Sequence, residues 1–223
     1  MRVAIVTDTN SGISVAEGRE LGVFVLPMPL LVDGQIRYEG VDLTPEEFYE
    51  AQQAGRDVST SQPSPGDVMD LWDRVLEEYD ALVYIPMSSG LSASCQTALA
   101  LAESYDGRVQ VADLRRISVT QKLAVLDGLE LAKLGLSAVE IREELDRVAM
   151  DAMIYIGGET RTYLRRGGRV TPAAAALGSL LNIKPLLKIQ GERLDAFAKV
   201  RGVRACQQRA VEARRESVEQ FQA

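Results

Sequence analysis

Short apolar runs alternate with amphipathic stretches along the chain, and this alternation constrains the fold more than any other feature. Strands are predicted over five apolar runs: Arg2–Thr7, Phe24–Val32, Ala81–Pro86, Arg108–Ala112 and Ala152–Ile156. Strands that are separated by helices usually pair in parallel, because the crossover helix returns the chain to the same end of the sheet. The sequence therefore predicts an α/β fold with a mostly parallel sheet.

Local capping chemistry predicts where three helices begin. In each case a Ser or Thr lies three residues before an acidic residue, so that its hydroxyl can accept a hydrogen bond from the first turn. The three pairs are Thr44 with Glu47, Ser64 with Asp67, and Ser137 with Glu140. The dipeptide Asp33-Gly34 lies between two strand-like runs and predicts a hairpin with a type I′ turn.

The composition and the pattern of the sequence change near residue 150, where we place a domain boundary. Residues 1–150 carry the alternating pattern, whereas residues 151–223 begin with a Gly- and Ala-rich stretch, GGETRTYLRRGGRVTPAAAALGSLL. Two apolar strands, IKPLLKI and LDAFAKV, then flank QGER as a second hairpin, and a polar helix closes the chain. The sequence predicts a larger N-terminal lobe and a smaller C-terminal one.

Charge and composition exclude several classes of function. The formal net charge of −7 disfavours nucleic-acid binding, which needs a basic excess to neutralise phosphates. Apolar runs are too short to span a bilayer and no basic leader precedes the first strand, so we expect a cytoplasmic protein. Cys95 and Cys206 follow no metal-ligand spacing, and we expect both to be reduced thiols.

The chain contains no histidine. A Ser-His-Asp triad, a Cys-His dyad and a His-ligated metal are therefore impossible within it. Acid–base catalysis would be left to carboxylates, Lys, Tyr or Cys. We expect a protein without a catalytic centre, a metal or an organic cofactor of its own.

Polar segments follow several of the predicted strands, where ligands bind in open α/β sheets. They are TDTNSGIS (7–14), STSQPSP (59–65), PMSSGLSASCQ (86–96), TYLRRGGRV (162–170) and the strand end that carries Lys199 and Arg201. In the third, small residues open a helix and present backbone N–H groups to an anion. For each segment taken alone, ordinary capping or turn chemistry, or solvated surface charge, is the favoured explanation over a binding site.

Together, and in this order, these segments resemble the DegV family, which includes the fatty-acid-binding carrier subunits of bacterial fatty acid kinases. The resemblance rests on TDTNSGI, STSQPS, PMSSGLSASC, YLRRGGRV, LNIKPLL and KVRG, and it covers nearly the whole chain. It implies a two-lobed fold with a long acyl chain buried between the lobes. The N-terminal lobe would be a three-layer α/β/α structure that carries the hydroxyl-rich loops. The shortened C-terminal α/β lobe would carry the Gly-Gly-Arg turn and a segment that contacts the kinase.

The resemblance also implies roles for individual residues. Thr60, Ser61, Ser92, Ala93 and Arg169 match positions that bind the fatty-acid carboxylate. Lys199 and Arg201 match the segment that contacts an ATP-dependent kinase subunit. The protein would then hold a long-chain fatty acid while the kinase phosphorylates the carboxylate to an acyl phosphate.

The sequence departs from the family pattern in several places, and two other functions stay open. The family's DSTSDL reads DTNSGI, its LSGTY reads LSASC so that Ala93 replaces a glycine, and its Asp-Ser pair reads Asp113-Leu114. Family members also generally continue past the equivalent of Ala223 to a His-Gly-Pro-Gly turn. One alternative is a DegV-like scaffold without a ligand. The other is a hydrolase that uses Ser88, Ser89 or Ser92.

Overall fold

The computed structural model describes residues 1–157, 169, 171, 183–190 and 194–222. The chain forms two compact units, Met1–Ala149 (unit 1) and Met150–Ala223 (unit 2). Within the described ranges, no helix is both long enough and apolar enough to cross a membrane.

A four-stranded parallel sheet forms the centre of unit 1. Its strands are, in spatial order, β2 (Phe24–Leu26), β1 (Val3–Asp8), β6 (Ala81–Ile85) and β7 (Val109–Val111). The register places Val3 opposite Ala81 and Val6 opposite Phe24. Consecutive strands in this sheet are connected through helices, as the alternating pattern predicts.

Helices cover both faces of this sheet, because alternate residues of each strand point to opposite sides. The helices are α1 (Val15–Leu21), α3 (Pro65–Leu76), α4 (Ser94–Ala102), α5 (Ser118–Lys133) and α6 (Ala138–Arg147). Ile5 and Val83 belong to the core cluster that includes residues of α5 and α6. Val6 and Leu82 belong to the cluster that includes residues of α3 and α4. The predicted three-layer α/β/α lobe is confirmed.

A second, antiparallel sheet in unit 1 is ordered β4-β3-β5. It consists of β3 (Pro29–Val32), β4 (Gln35–Tyr38) and β5 (Val58–Thr60), and α2 (Pro45–Gln53) follows β4 along the chain. Asp33 and Gly34 connect β3 to β4 with φ values of 50° and 77°. Both values are positive, as the predicted type I′ turn requires.

The prediction of one strand over Phe24–Val32 is wrong. The segment forms two strands in different sheets, because β2 pairs with β1 whereas β3 pairs with β4 and β5. Pro27 has no N–H to donate to a ladder, and the next amide, Met28 N, donates to Thr9 Oγ1 at 3.2 Å. The chain therefore leaves the parallel sheet at Pro27 and enters the antiparallel one at Pro29.

The predicted helix caps are confirmed, and one long helix has none. Thr44 and Ser137 form complete capping boxes, and the Ser64 hydroxyl accepts a hydrogen bond from Asp67 N. The 16-residue α5 follows Ile117, which makes no side-chain cap, and its first residue, Ser118, has a φ of 55°. Cap residues therefore do not reveal this helix in the sequence.

Unit 2 contains a three-stranded antiparallel sheet and a long helix. The sheet is ordered β10-β9-β8, with β8 at Ile154–Gly157, β9 at Ile183–Ile189 and β10 at Asp195–Arg201. The closing helix α7 (Val203–Gln222) buries Cys206 and Ala213. The strands of the predicted second hairpin pair as expected, while residues 191–193 of its turn lie outside the described residues.

Candidate functional site

Polar groups of unit 1 collect at the carboxyl edge of the parallel sheet. The loop after β6, residues 86–93, is central to this edge and is called the serine loop below. Asp8 ends β1 on one side of it, and Asp113 follows β7 on the other. In open α/β sheets this edge is where ligands bind.

Neighbouring segments hold three consecutive amides of the serine loop. Met87 N donates to Asp8 Oδ2 at 2.9 Å, and Ser88 N donates to the Arg116 carbonyl at 2.8 Å. Ser89 N donates to Asp113 Oδ1 at 3.3 Å. The acceptors come from the end of β1 and from the segment after β7. The loop is thus fixed from both sides along the sheet edge.

The rest of the serine loop folds around Ser88, which is fully buried. The Ser88 hydroxyl accepts Gly90 N at 3.2 Å, and its carbonyl accepts Leu91 N at 3.0 Å and Ser92 N at 3.2 Å. Every amide from Met87 to Ser92 therefore has an acceptor within unit 1. A loop whose amides are all held in this way is rigid compared with one that is bonded to water.

The serine loop leads directly into α4, whose N-terminus lacks a capping side chain. The N-cap residue is Ala93, which is exposed and has no side-chain oxygen. Ser92 Oγ accepts Ser94 N at 3.1 Å, and the buried Ser94 Oγ has no hydrogen-bond partner among the described residues. Helix N-termini attract anions through their free N–H groups and their dipole.

Asp8 is buried and surrounded by hydrogen-bond donors. Its Oδ2 accepts Met87 N, and its Oδ1 accepts Asn10 N at 3.0 Å and Gln121 Nε2 at 3.2 Å. Burial raises the pKa of the Asp8 carboxyl, and these donors oppose that shift because they favour the carboxylate. The donor set therefore suits an ionised carboxylate that joins the end of β1 to the serine loop and to α5.

Two further titratable groups near this edge are kept in their neutral forms. Burial, together with the neighbouring Asp113 carboxylate, raises the pKa of the Cys95 thiol to about 12. Burial and the charge of Asp8 raise the pKa of Tyr84 well above its ordinary value. A thiol with such a pKa is a poor nucleophile at neutral pH.

The second hydroxyl-rich segment, residues 59–64, begins with the last two residues of β5 and leads into α3, and it is called the connector below. Thr60 pairs with Leu30 across the small sheet, and both Thr60 and Ser61 are exposed. Ser61 N donates to the Pro29 carbonyl at 3.3 Å, and Ser61 Oγ donates to the carbonyl of the next residue at 3.2 Å. The hydroxyl groups thus face solvent while the backbone continues the sheet.

One side-chain contact joins the connector to the first turn of α4. Thr97 Oγ1 donates to Gln62 Oε1 at 3.5 Å. Gln62 lies two residues after Thr60, and Thr97 lies five residues after Ser92. The structure therefore brings together, within unit 1, the two segments that carry four of the five predicted carboxylate-binding residues.

The remaining predicted residues lie in unit 2. Arg169 is exposed and its carbonyl accepts Leu194 N at 3.2 Å, while the rest of the predicted Gly-Gly-Arg turn lies outside the described residues. Lys199 and Arg201 are exposed on β10. They are two residues apart in a strand, and their side chains therefore project from the same face of the sheet.

Sequence reasoning did not assign a role to Asp8, Ser94 or Asp113. Asp8 and Asp113 each follow a mostly buried run, VAIVT and VQVA, and such carboxylates at strand ends were a usable signal. Ser94 is inconspicuous in a segment that already contains three other serines. Its buried hydroxyl distinguishes it only once the fold is known.

The family comparison matches residues 2–223 to the model described as an uncharacterised protein of the DegV family. A curated relative, a DegV domain-containing protein of Deinococcus radiodurans, is 37% identical over 203 residues. That alignment covers 91% of this chain and 72% of the relative.

Solved structures of similar fold extend the comparison. A DegV family protein from Thermus thermophilus, described for its fatty acid binding, matches with a TM-score of 0.89 at 32% identity. That match covers 98% of this chain and 79% of the other. DegV of Bacillus subtilis, described as a fatty acid binding protein, matches with a TM-score of 0.85 at 28% identity over 99% of this chain and 79% of its own.

Proposed function

This chain belongs to the DegV family, and on that premise we propose that it binds a long-chain fatty acid and presents the carboxylate to a separate ATP-dependent kinase. The observation that carries the fatty-acid-binding part of this proposal is the match, over 98% of this chain and 79% of the other, to the Thermus thermophilus protein, whose fatty acid binding is described. The N-terminus of α4 supports it, because the N-cap residue Ala93 makes no side-chain hydrogen bond there and helix N-termini suit an anion.

The carboxylate would lie between the serine loop and the connector. Thr60, Ser61 and Ser92 would supply hydroxyl donors, and the backbone at Ala93 would allow close approach to the first turn of α4. A carboxylate removed from water needs such donors, since an unpaired buried charge is costly. The unpartnered Ser94 hydroxyl is a further donor at the same helix end.

Arg169 would supply the positive charge. Neither the serine loop nor the connector contains a Lys or Arg, and Asp8 and Asp113 lie beside the serine loop. Hydroxyl groups alone would hold an anion weakly next to two carboxylates. A cation from another segment would improve the charge balance, and Arg169 is the one that the family resemblance assigns to this role.

Most of the binding free energy would come from the acyl chain. Burying sixteen carbons at ~0.8 kcal/mol per methylene gives roughly 12 kcal/mol before the costs of association are subtracted. The polar groups would then determine the position of the carboxylate more than the total affinity.

The protein would act as a carrier without a catalytic centre, metal or cofactor of its own. Lack of histidine and the high pKa of the Cys95 thiol support this view over the hydrolase alternative. The hydroxyl of Ser88, one of the serines a hydrolase would use, is buried and accepts a backbone amide of its own loop.

Native mass spectrometry of the purified protein, followed by organic extraction, tests the lipid-binding part of the proposal. We expect a co-purified fatty acid, and we expect the delipidated protein to bind a fluorescent fatty acid. A protein that neither carries nor takes up fatty acid would support the alternative of a DegV-like scaffold without a ligand.

Lys199 and Arg201 would contact the kinase. They are exposed cations on β10, which is an edge strand within the described sheet, and edge strands are accessible to protein partners. Arg201→Glu should abolish acyl phosphate formation by the cognate kinase while the bound lipid is retained. Loss of lipid from this variant would contradict the assignment.

A further inference from the structure

The serine loop is rich in residues that give a flexible backbone, yet it is held in one conformation. Residues 88–90 read Ser-Ser-Gly, and such a segment loses considerable conformational entropy on ordering. If ligand binding had to order the loop, affinity would fall by that cost. The hydrogen bonds of the Met87, Ser88 and Ser89 amides already order the loop in the ligand-free protein, so ligand binding does not carry this entropic cost.

We propose that Asp8 and Asp113 are positioning residues of the ligand site, which clamp the serine loop from two sides and so fix Ser92 and the N-terminus of α4. This inference rests on the proposed function, since the fixed groups are those that would receive the fatty-acid carboxylate. Asp8 reaches the loop from β1, and Asp113 reaches it from the end of β7. Neither carboxylate needs to touch the ligand for this role.

The two carboxylates differ in whether an asparagine could make the same hydrogen bonds. Asp8 accepts a donor on each oxygen, Met87 N on Oδ2 and both Asn10 N and Gln121 Nε2 on Oδ1. An asparagine at position 8 would place its NH₂ group against a donor in either orientation. Because Asp8 is also buried, its variants would combine lost clamping with lost stability.

Asp113 offers a cleaner test, because a single carboxylate oxygen accepts both of its backbone amide hydrogen bonds. Its Oδ1 accepts both Ser89 N and Arg115 N, each at 3.3 Å, and the side chain is half-buried. The carbonyl oxygen of an asparagine can accept the same two amides, whereas alanine cannot. Asp113→Asn and Asp113→Ala remove the same negative charge, so that a difference between them reports the hydrogen bonds and packing of the side chain, which also contacts the Cys95 thiol.

The second amide on Asp113 strengthens the case for positioning. Arg115 has a φ of 53°, a left-handed conformation that costs energy for a residue other than glycine. The same short segment supplies the Arg116 carbonyl that accepts Ser88 N. Asp113 therefore holds the serine loop directly and also holds the turn that provides the neighbouring acceptor.

Amide hydrogen exchange of the ligand-free protein tests the clamp without reference to any ligand. In Asp113→Ala we expect peptides covering residues 86–93 to exchange faster than in the wild type, and in Asp113→Asn we expect protection to be restored. Peptides from α3 serve as the internal control, since they should not change in either variant. Equal exchange in the wild type and Asp113→Ala would overturn the clamp.

Titration with a fluorescent fatty acid then connects the clamp to binding. Asp113→Ala should bind about 3- to 10-fold more weakly than Asp113→Asn, the range expected for a lost hydrogen bond. Equal affinities of the two variants would overturn a positioning role, even if exchange differs between them. A wild-type protein that binds no fatty acid would refute the proposed function, and hydrogen exchange alone would then decide whether the clamp exists.

Discussion

The serine loop and the connector have similar compositions and opposite environments. In the serine loop, all amides from Met87 to Ser92 have acceptors and Ser88 is buried. In the connector, Thr60 and Ser61 are exposed, and Ser61 Oγ bonds to the adjacent carbonyl. A serine-rich stretch can therefore be either a rigid structural element or an open surface.

Position in the sheet explains the difference. The serine loop follows β6, an inner strand of the parallel sheet, and both neighbouring strands end beside it with acceptors. The connector begins within β5, an edge strand of the small sheet, which has a neighbour on one side within the described residues. Under the proposed function, the serine loop is a preformed half of the carboxylate site, whereas the connector is the half whose exposed hydroxyl groups can adjust to the ligand.

The largest effect on ligand binding is expected from a residue in neither segment. Arg169→Ala should weaken fatty-acid binding by roughly 10- to 100-fold, because a charge-assisted hydrogen bond contributes about 1.5–3 kcal/mol. Titration of a fluorescent fatty acid measures the change. Arg201→Ala, which removes another exposed cation of unit 2, is the matched control and should leave affinity unchanged.

Ser92→Ala should reduce affinity less than Arg169→Ala does, because neighbouring hydroxyl groups offer other donors. If both Ser92→Ala and Arg169→Ala have negligible effects, the carboxylate site is not where we propose it. The difference between the serine loop and the connector would then be a difference in structure without a role in ligand binding.

The next effect is on stability and separates the two segments directly. Ser88→Ala should lower the free energy of unfolding by about 1–3 kcal/mol, because Gly90 N loses its acceptor, the buried Ser88 hydroxyl, in a half-buried loop. Ser61→Ala in the connector removes an exposed hydroxyl and should change stability by less than about 0.5 kcal/mol. Urea unfolding of both variants measures the two values, and equal values would remove the distinction between the segments.

The sequence predicted those parts of the fold that local chemistry determines. Thr44 and Ser137 were identified as capping residues because their partners lie three positions away. Helix α5 was not predicted because Ile117 provides no cap. The division of Phe24–Val32 into two strands at Pro27 was not predicted either, because Pro27 lies within a continuous apolar run. Local signals thus located elements that begin with a cap and missed those that depend on tertiary contacts.

The site was predictable to the same extent. The family resemblance singled out Ser92 and Thr60, but the environment of Asp8 depends on Gln121, which is 113 residues away, and that of Asp113 depends on Ser89, 24 residues away. Such pairings follow from strand order in the sheet, which composition does not specify. The sequence therefore indicated which residues are polar, and the topology showed which of them are held.

The smallest effect is expected at the contact between the two segments. The hydrogen bond from Thr97 Oγ1 to Gln62 Oε1 is long, at 3.5 Å, and exposed. Water can replace either partner at little cost, so this bond should contribute little to stability. A double-mutant cycle with Thr97→Val and Gln62→Ala, measured by urea unfolding, should give a coupling energy below about 0.5 kcal/mol. Each single variant controls for the loss of its own side chain.

A coupling above about 1 kcal/mol would mean that α4 holds the connector as firmly as buried hydrogen bonds hold the serine loop. The connector would then be a second preformed element, and the contrast between a fixed half and an adjustable half of the site would be wrong.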